Sequence, residues 1–252
     1  MPKSHSAPTI SIGRSLFALA ILGFGIEYAI AGHLRLGLPL APPWLGHGPI
    51  LAYALAALLA AAGIALLASW RIFATSLTLG LLLLFTSALY LQRADFVLHN
   101  ANGRTAFLED LSLAAAALVL HGLTAGRAAR LSLMPGRILF AFAMIVFGAQ
   151  HFMYTRYIAT LVPAWIPYHQ YWVIFTGLAL VAAGIAIATT IADRHAGFAL
   201  FALFFGWLVL LHAPRILHAL HNADEWASGF VALGLAGASL LLAESSAHAR
   251  RG

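Results

Sequence analysis

Residues 145–189 read IVFGAQHFMYTRYIATLVPAWIPYHQYWVIFTGLALVAAGIAIAT, the heart of two long apolar runs, 137–155 and 170–190, joined by a connection that carries Pro163, Trp165 and Pro167. Neither run alternates polar with apolar residues, and none of Asp, Glu, Lys or Arg falls between Ile138 and Thr155 or between Gln170 and Thr190. A membrane-crossing helix needs about 20 such residues, whereas a transmembrane strand needs roughly ten that alternate. The stretch therefore predicts two membrane helices. Pro interrupts helices and Trp anchors at headgroup depth, so the connection reads as a short interfacial ledge, either a structural cap or a ligand lid.

The same signature recurs outward along the chain, with further runs at 14–32, 50–69, 72–92, 106–124, 197–216 and 227–243. Eight crossings of about 20 residues leave only short connections in 252 residues. Composition agrees: 62% of residues are hydrophobic and 9% charged, with a mean hydropathy of +0.90, against about 25% charged in soluble domains. The expected fold is an all-α polytopic membrane protein. Cys is absent, which excludes thiol relays, disulfides, covalent c-type haem and Cys-ligated metals. The net charge of +6 is spread among loops and forms no basic arm, so an anionic lipid surface explains it better than nucleic acid. The opening MPKSHSAPTISIGR runs into the first apolar segment with no convincing cleavage site, which reads as a retained first helix.

An internal duplication organises the eight runs. GFGIEYAIAG at 23–32, PPWLG at 42–46 and LLAAAGIALL at 58–67 match FGAQHFMY at 147–154, PAWIP at 163–167 and LVAAGIAI at 180–187, and LHNANGR at 98–104 matches LHNADEW at 220–226. Pro42, Pro43 and Trp44 thus correspond to Pro163, Trp165 and Pro167. Two four-helix repeats, 1–125 and 126–252, follow; an even number of crossings makes them parallel, which argues against inverted-repeat transport. With the N-terminus inside, nine of the 14 Lys and Arg fall on the cytoplasmic side (Lys3, Arg14, Arg71, Arg127, Arg130, Arg137, Arg194, Arg250, Arg251), leaving Arg35, Arg93, Arg104, Arg156 and Arg215 outside. Both termini are expected in the cytoplasm of a bacterial cell.

Polar residues gather toward the opposite side. Arg215, His218 and His221 are spaced by three, so a helix continuing past Pro214 would align them, with His212 and Glu225 nearby. The first repeat offers Arg93, Asp95 and His99, with Glu109 and Asp110 as partners for Arg93 or Arg104. Glu27 lies inside the first apolar run, where a carboxylate must face a partner or a polar interior. Gln150-His151 holds the repeated place in the fifth run. Twelve His permit haem b ligation by His151 with His212 or His218, a divalent metal, or hydrogen bonds to a quinone; no spacing decides among them. Tyr154 and Tyr157 fit an interfacial belt, and a Tyr hydroxyl also suits a quinone.

The segment Gly148, His151, Phe152, Pro163, Trp165, Ile166, Pro167, Trp172, Thr176, Gly177 and Gly184, read as G-x-x-H-F, PAWIP-x4-W and TG-x6-G, resembles the DoxX family of small four-helix membrane proteins. The first half carries a weaker version in Gly25, Tyr28, Pro42, Trp44 and Gly63, so the chain looks like a duplicated DoxX-like unit. Members of that family include the small membrane subunit of thiosulfate:quinone oxidoreductase, and others are linked to redox stress. The resemblance implies a membrane component of a quinone-linked redox system, with His151 at the family's recurrent His. In that reading Glu27, His151, Arg215 and His218 would handle protons and charge. Arg93, His99, Tyr154, Trp165, His212 and His221 would line the cofactor site, with His151 among them. A membrane or periplasmic redox subunit would supply electrons. A partner-binding or assembly protein, a homo-oligomer and a small-solute transporter are the alternative readings.

Overall fold

Helix ends follow from local chemistry. Ser11 caps the first helix, its hydroxyl accepting from the Arg14 N–H at 3.1 Å, and Gly32 closes it in the left-handed region at φ 66°. The structure, a computed structural model, describes residues 11–32, 49–124 and 127–249. Pro42, Pro43, Trp44, Lys3, Arg35, Arg250 and Arg251 lie outside the described residues.

In chain order the helices are α1 (Ile12–Ala31), α2 (Pro49–Leu67), α3 (Ile72–Leu89), α4 (Ala94–His99), α5 (Ala101–Gly122), α6 (Arg127–Met153), α7 (Thr155–Ala159), α8 (His169–Thr189), α9 (Asp193–Trp207), α10 (Ala213–His218) and α11 (Ala223–Ala249). A 3-10 turn at Tyr90–Arg93 joins α3 to α4, and a π-turn at Leu208–His212 joins α9 to α10. Counting those joined rods, eight helices are long and apolar enough to cross a bilayer. The chain is an all-α, integral, polytopic membrane protein.

Several crossings are longer than their apolar runs. The fourth starts at Ala101 rather than 106, because Asn100 caps it, its Oδ1 accepting from the Gly103 N–H at 3.1 Å. The eighth spans Ala223–Ala249 rather than 227–243. Polar first turns tolerate headgroup depth, so hydropathy alone undercounts them.

The helices pack as a closed ring in chain order, α1 on α2, α2 on α3, α3 on α5, α5 on α6, α6 on α8, α8 on α9, α9 on α11, and α11 back on α1; α5 and α11 also meet across the middle. The last crossing of each repeat therefore packs on the first crossing of the other, α5 on α6 and α11 on α1. Symmetry holds in detail. A Cβ on Gly25 would come within 2.6 Å of the Ala60 backbone, and one on Gly148 within 2.6 Å of the Gly177 carbonyl, so α1 on α2 and α6 on α8 approach at the same level. Gly63 on Ala18 and Gly184 on Ala141 repeat the match one step further along. Lipid gives helices no hydrophobic reason to associate, and small residues supply close contact instead. The turns after α2 and α8 match too, with left-handed Ser69 and Arg71 in one and left-handed Thr190 and Ala192 in the other.

Large apolar side chains, among them Ile30, Leu81, Phe85, Phe175 and Leu178, cover the outside. Such a surface suits hydrocarbon. The end that carries Arg14 and Arg137 is held by buried polar contacts. Arg137 donates to Asp193 Oδ2 at 2.6 Å, to Ser245 Oγ at 2.9 Å and to the Ile187 carbonyl at 3.1 Å. Arg14, its counterpart in the first repeat, donates to Ser69 Oγ at 2.7 Å.

Candidate functional site

Toward the opposite end, the second repeat encloses a cavity of about 1210 Å³. Helices α6, α8, α9 and α11 form its sides, α5 closes a further wall, and α7 with residues 161–167 lies over it. Its apolar walls include Phe147, Leu180, Phe204 and Leu235, whereas Thr105, Gln150, His151, Tyr154, His212 and Arg215 supply polar atoms. The helical period explains part of this: Phe147, Gln150, His151 and Tyr154 fall at i, i+3, i+4 and i+7, which is one face of α6. Phe175 and Leu210 line the cavity and are exposed, so the cavity opens beside large apolar side chains that suit lipid.

His151 is held in a defined state. Its Nδ1 lies 2.8 Å from the Phe147 carbonyl, and its ring stacks on Trp207 with centroids 5.8 Å apart and planes 13° apart. A carbonyl only accepts, so Nδ1 carries the proton. Gln150 is 6% exposed; its Nε2 donates to Thr105 Oγ1 at 3.1 Å, and its Oε1 is buried with no hydrogen-bond partner. His212 Nδ1 is likewise buried without one. Arg215 is clamped by Glu225, its Nη2 and Nε donating to Oε1 at 2.8 and 3.2 Å. Tyr154 accepts from Arg104 Nη2 at 2.8 Å.

His212 reaches the cavity from the end of the π-turn, where the Ala213 N–H donates to the Leu208 carbonyl five residues back. Pro214 has no N–H to give the Leu210 carbonyl, so the α ladder is already broken there, and a wider turn is the outcome. In the first repeat Gln92 stands where Pro214 does, and a 3-10 turn forms instead.

The expected site residues divide into three groups. His151, Tyr154, Trp165, His212 and Arg215 share the large cavity. Glu27 lies apart, in a cavity of about 80 Å³ with Tyr28, Tyr90, Glu109 and Asp110. Arg93, His99, His218 and His221 line neither of these cavities and lie near the helix ends, Arg93 half-buried and the three His exposed; Arg93 stands 3.8 Å from Asp95, and His99 Nδ1 3.0 Å from the Asp95 carbonyl. The aligned stripe of Arg215, His218 and His221 does not form, because α10 stops at His218 and Ala219 turns away at φ −140°. Nor do Glu109 and Asp110 reach Arg93 or Arg104. With α5 starting at Ala101 they sit two turns inside it, both facing the small cavity and Glu109 lining the large one as well.

The LHN repeats are helix-start devices. Asn100 and Asn222 each accept a backbone N–H with Oδ1, and the Leu98 and Leu220 carbonyls each accept at 3.0 Å from a side chain six residues on, Arg104 in one repeat and Trp226 in the other. Offsets of 122–123 residues align the two repeats and pair different side chains around the two cavities. Tyr28 stands for His151, Tyr90 for His212 and Phe107 for Gly229. Tyr28 and Tyr90 are buried in the first repeat, and Tyr90 packs edge-on against Phe107. Three large rings thus occupy space that the second repeat leaves open.

Trp207, Thr105 and the free Oε1 of Gln150 belong to the site but were not singled out by sequence reasoning for these roles. Trp207 sits in an unbroken aromatic run, FALFFGW, with nothing local to mark it. Thr105 comes from the other repeat across the α5–α6 contact. Gln150 was visible as the counterpart of Glu27.

A family model described as a domain of unknown function, DUF8561, matches residues 140–241. That span carries the cavity's α6, α8, α9 and α11 walls but not Thr105 or Glu109. No curated protein and no solved structure matches the chain.

Proposed function

We propose that the chain is a DoxX-like membrane component of a quinone-linked redox system, and that the large cavity receives the quinone. The observation that carries the reading is a cavity of about 1210 Å³ whose aromatic and aliphatic walls reach the lipid face, while His151, Gln150, His212 and Arg215 supply a few polar groups. A prenylated ring needs both: hydrocarbon for its tail and a small number of hydrogen-bonding atoms for its oxygens. The unpartnered Gln150 Oε1 and His212 Nδ1 are buried polar atoms that a ligand's polar head would satisfy.

When bound, the quinone supplies two-electron, two-proton redox chemistry that no side chain of a Cys-free protein provides. His151 would orient the head, and Trp207 would hold the imidazole plane. Arg215 is neutralised by Glu225 and acts as a fixed donor rather than a free cation. An electron-donating subunit in the membrane or at its outer surface completes the system. The Lys and Arg excess at the opposite end supports a cavity on the periplasmic side of a bacterial membrane, with both termini in the cytoplasm.

Mild-detergent purification followed by an optical spectrum and mass analysis of extracted small molecules tests the reading. Retained quinone is expected, with loss in His151→Ala. A haem spectrum, or quinone retention unchanged in His151→Ala, contradicts it.

A further inference from the structure

Resting on that reading, we infer that the cavity discriminates between the two redox forms of its ligand and binds the hydroxyl form, the quinol, in preference to the quinone. The polar atoms left available on the wall set the preference. The Phe147 carbonyl fixes the proton of His151 on Nδ1, so in the neutral ring Nε2 presents a lone pair. Turning the ring over would give up that hydrogen bond, and Trp207 lies parallel to the imidazole with centroids 5.8 Å apart. One residue earlier on α6, Gln150 spends its amide N–H on Thr105 and leaves Oε1 buried and unpartnered. Two neighbouring side chains on the wall thus offer acceptors.

Donors line the cavity as well, the Arg215 N–H groups not given to Glu225 and the Tyr154 hydroxyl, with His212 Nδ1 buried and unpartnered in either role; none of the donors meets the two acceptors. Arg215 gives Nε and Nη2 to Glu225. Tyr154, one turn beyond His151, accepts from Arg104 and retains its own proton to give. A ligand hydroxyl satisfies this set in both directions, donating to His151 Nε2 or Gln150 Oε1 and accepting from Tyr154. A quinone carbonyl can only accept, so it leaves the His151 and Gln150 acceptors unmet inside an apolar cavity. An unmet buried acceptor weakens binding by about tenfold or more.

The test is equilibrium binding of decylubiquinol and decylubiquinone to the full chain in detergent under anaerobic conditions, read by ultrafiltration and mass analysis. Quinol binding at least about tenfold tighter is expected, equivalent to raising the bound couple's midpoint potential by about 30 mV. His151→Phe, which keeps an aromatic ring against Trp207 and removes the acceptor, should narrow that ratio toward one. Equal affinity, or tighter quinone binding, in the wild-type chain overturns the inference and leaves quinone binding standing. Binding of neither form overturns both. A ratio unchanged in folded His151→Phe also overturns the assignment to His151; if that variant does not fold, the wild-type ratio decides.

Discussion

At Arg137 four partners, an Asp, two Ser and a backbone carbonyl, surround a guanidinium that is 3% exposed. Removing one member of such a pair strands the other, which costs about 3–5 kcal/mol. Arg137→Ala is expected to lower unfolding stability by that order in detergent denaturation, with most of the loss recovered in Arg137→Met combined with Asp193→Leu. An Arg137→Ala variant as stable as wild type would show the contacts to be idle. Gly206 gives the opposite case. A Cβ there meets nothing within 4 Å although the residue lines the cavity. Gly206→Phe should therefore fill ligand space with little loss of stability, and a thermal melt beside a binding titration separates the two effects. At this scale the sequence was informative about identity and silent about state. His151 stood out as the recurrent His, but its tautomer depends on the Phe147 carbonyl and on Trp207, which comes from another helix.

Among the elements, the π-turn at Leu208–His212 is the one whose shape matters most to the site, since it delivers His212 to the cavity. Pro214→Ala restores an N–H to the Leu210 carbonyl and should let the α ladder run through. His212 then turns off the cavity, and ligand affinity is expected to fall about tenfold, the order of one lost buried hydrogen bond. Unchanged binding would show that His212 contributes none. The α6–α8 contact makes a second prediction. Gly148→Val drives a side chain into the Gly177 carbonyl and should destabilise by about 1–3 kcal/mol through overpacking. All eight crossings were legible from apolar run length, because a membrane helix writes its fold into composition. Their polar ends were not. Asn100 and Arg104 read as loop residues, yet they begin α5 and carry it a turn and more past its apolar run. The same blind spot put Glu109 and Asp110 at a helix start rather than inside the bundle.

For the whole molecule, duplication has been followed by divergence. The ring of helices keeps its symmetry in its close contacts, Gly25 with Gly148 and Gly63 with Gly184, while Tyr28, Tyr90 and Phe107 fill in the first repeat what His151, His212 and Gly229 leave open in the second. The repeat itself could be read from sequence. Its consequence among the described residues, a large cavity in the second repeat beside a small one in the first, could not, since it depends on α5 packing on α6 and on rings from different helices meeting. The central claim is that the large cavity, with His151 on its wall, holds one quinone. Quinone per chain, quantified after extraction from wild type and Gly206→Phe purified in the same mild detergent, tests it most directly. The account predicts about one molecule per chain in wild type and a small fraction of that in the filled variant at equal thermal stability. Equal quinone in both, or none in wild type, would contradict it.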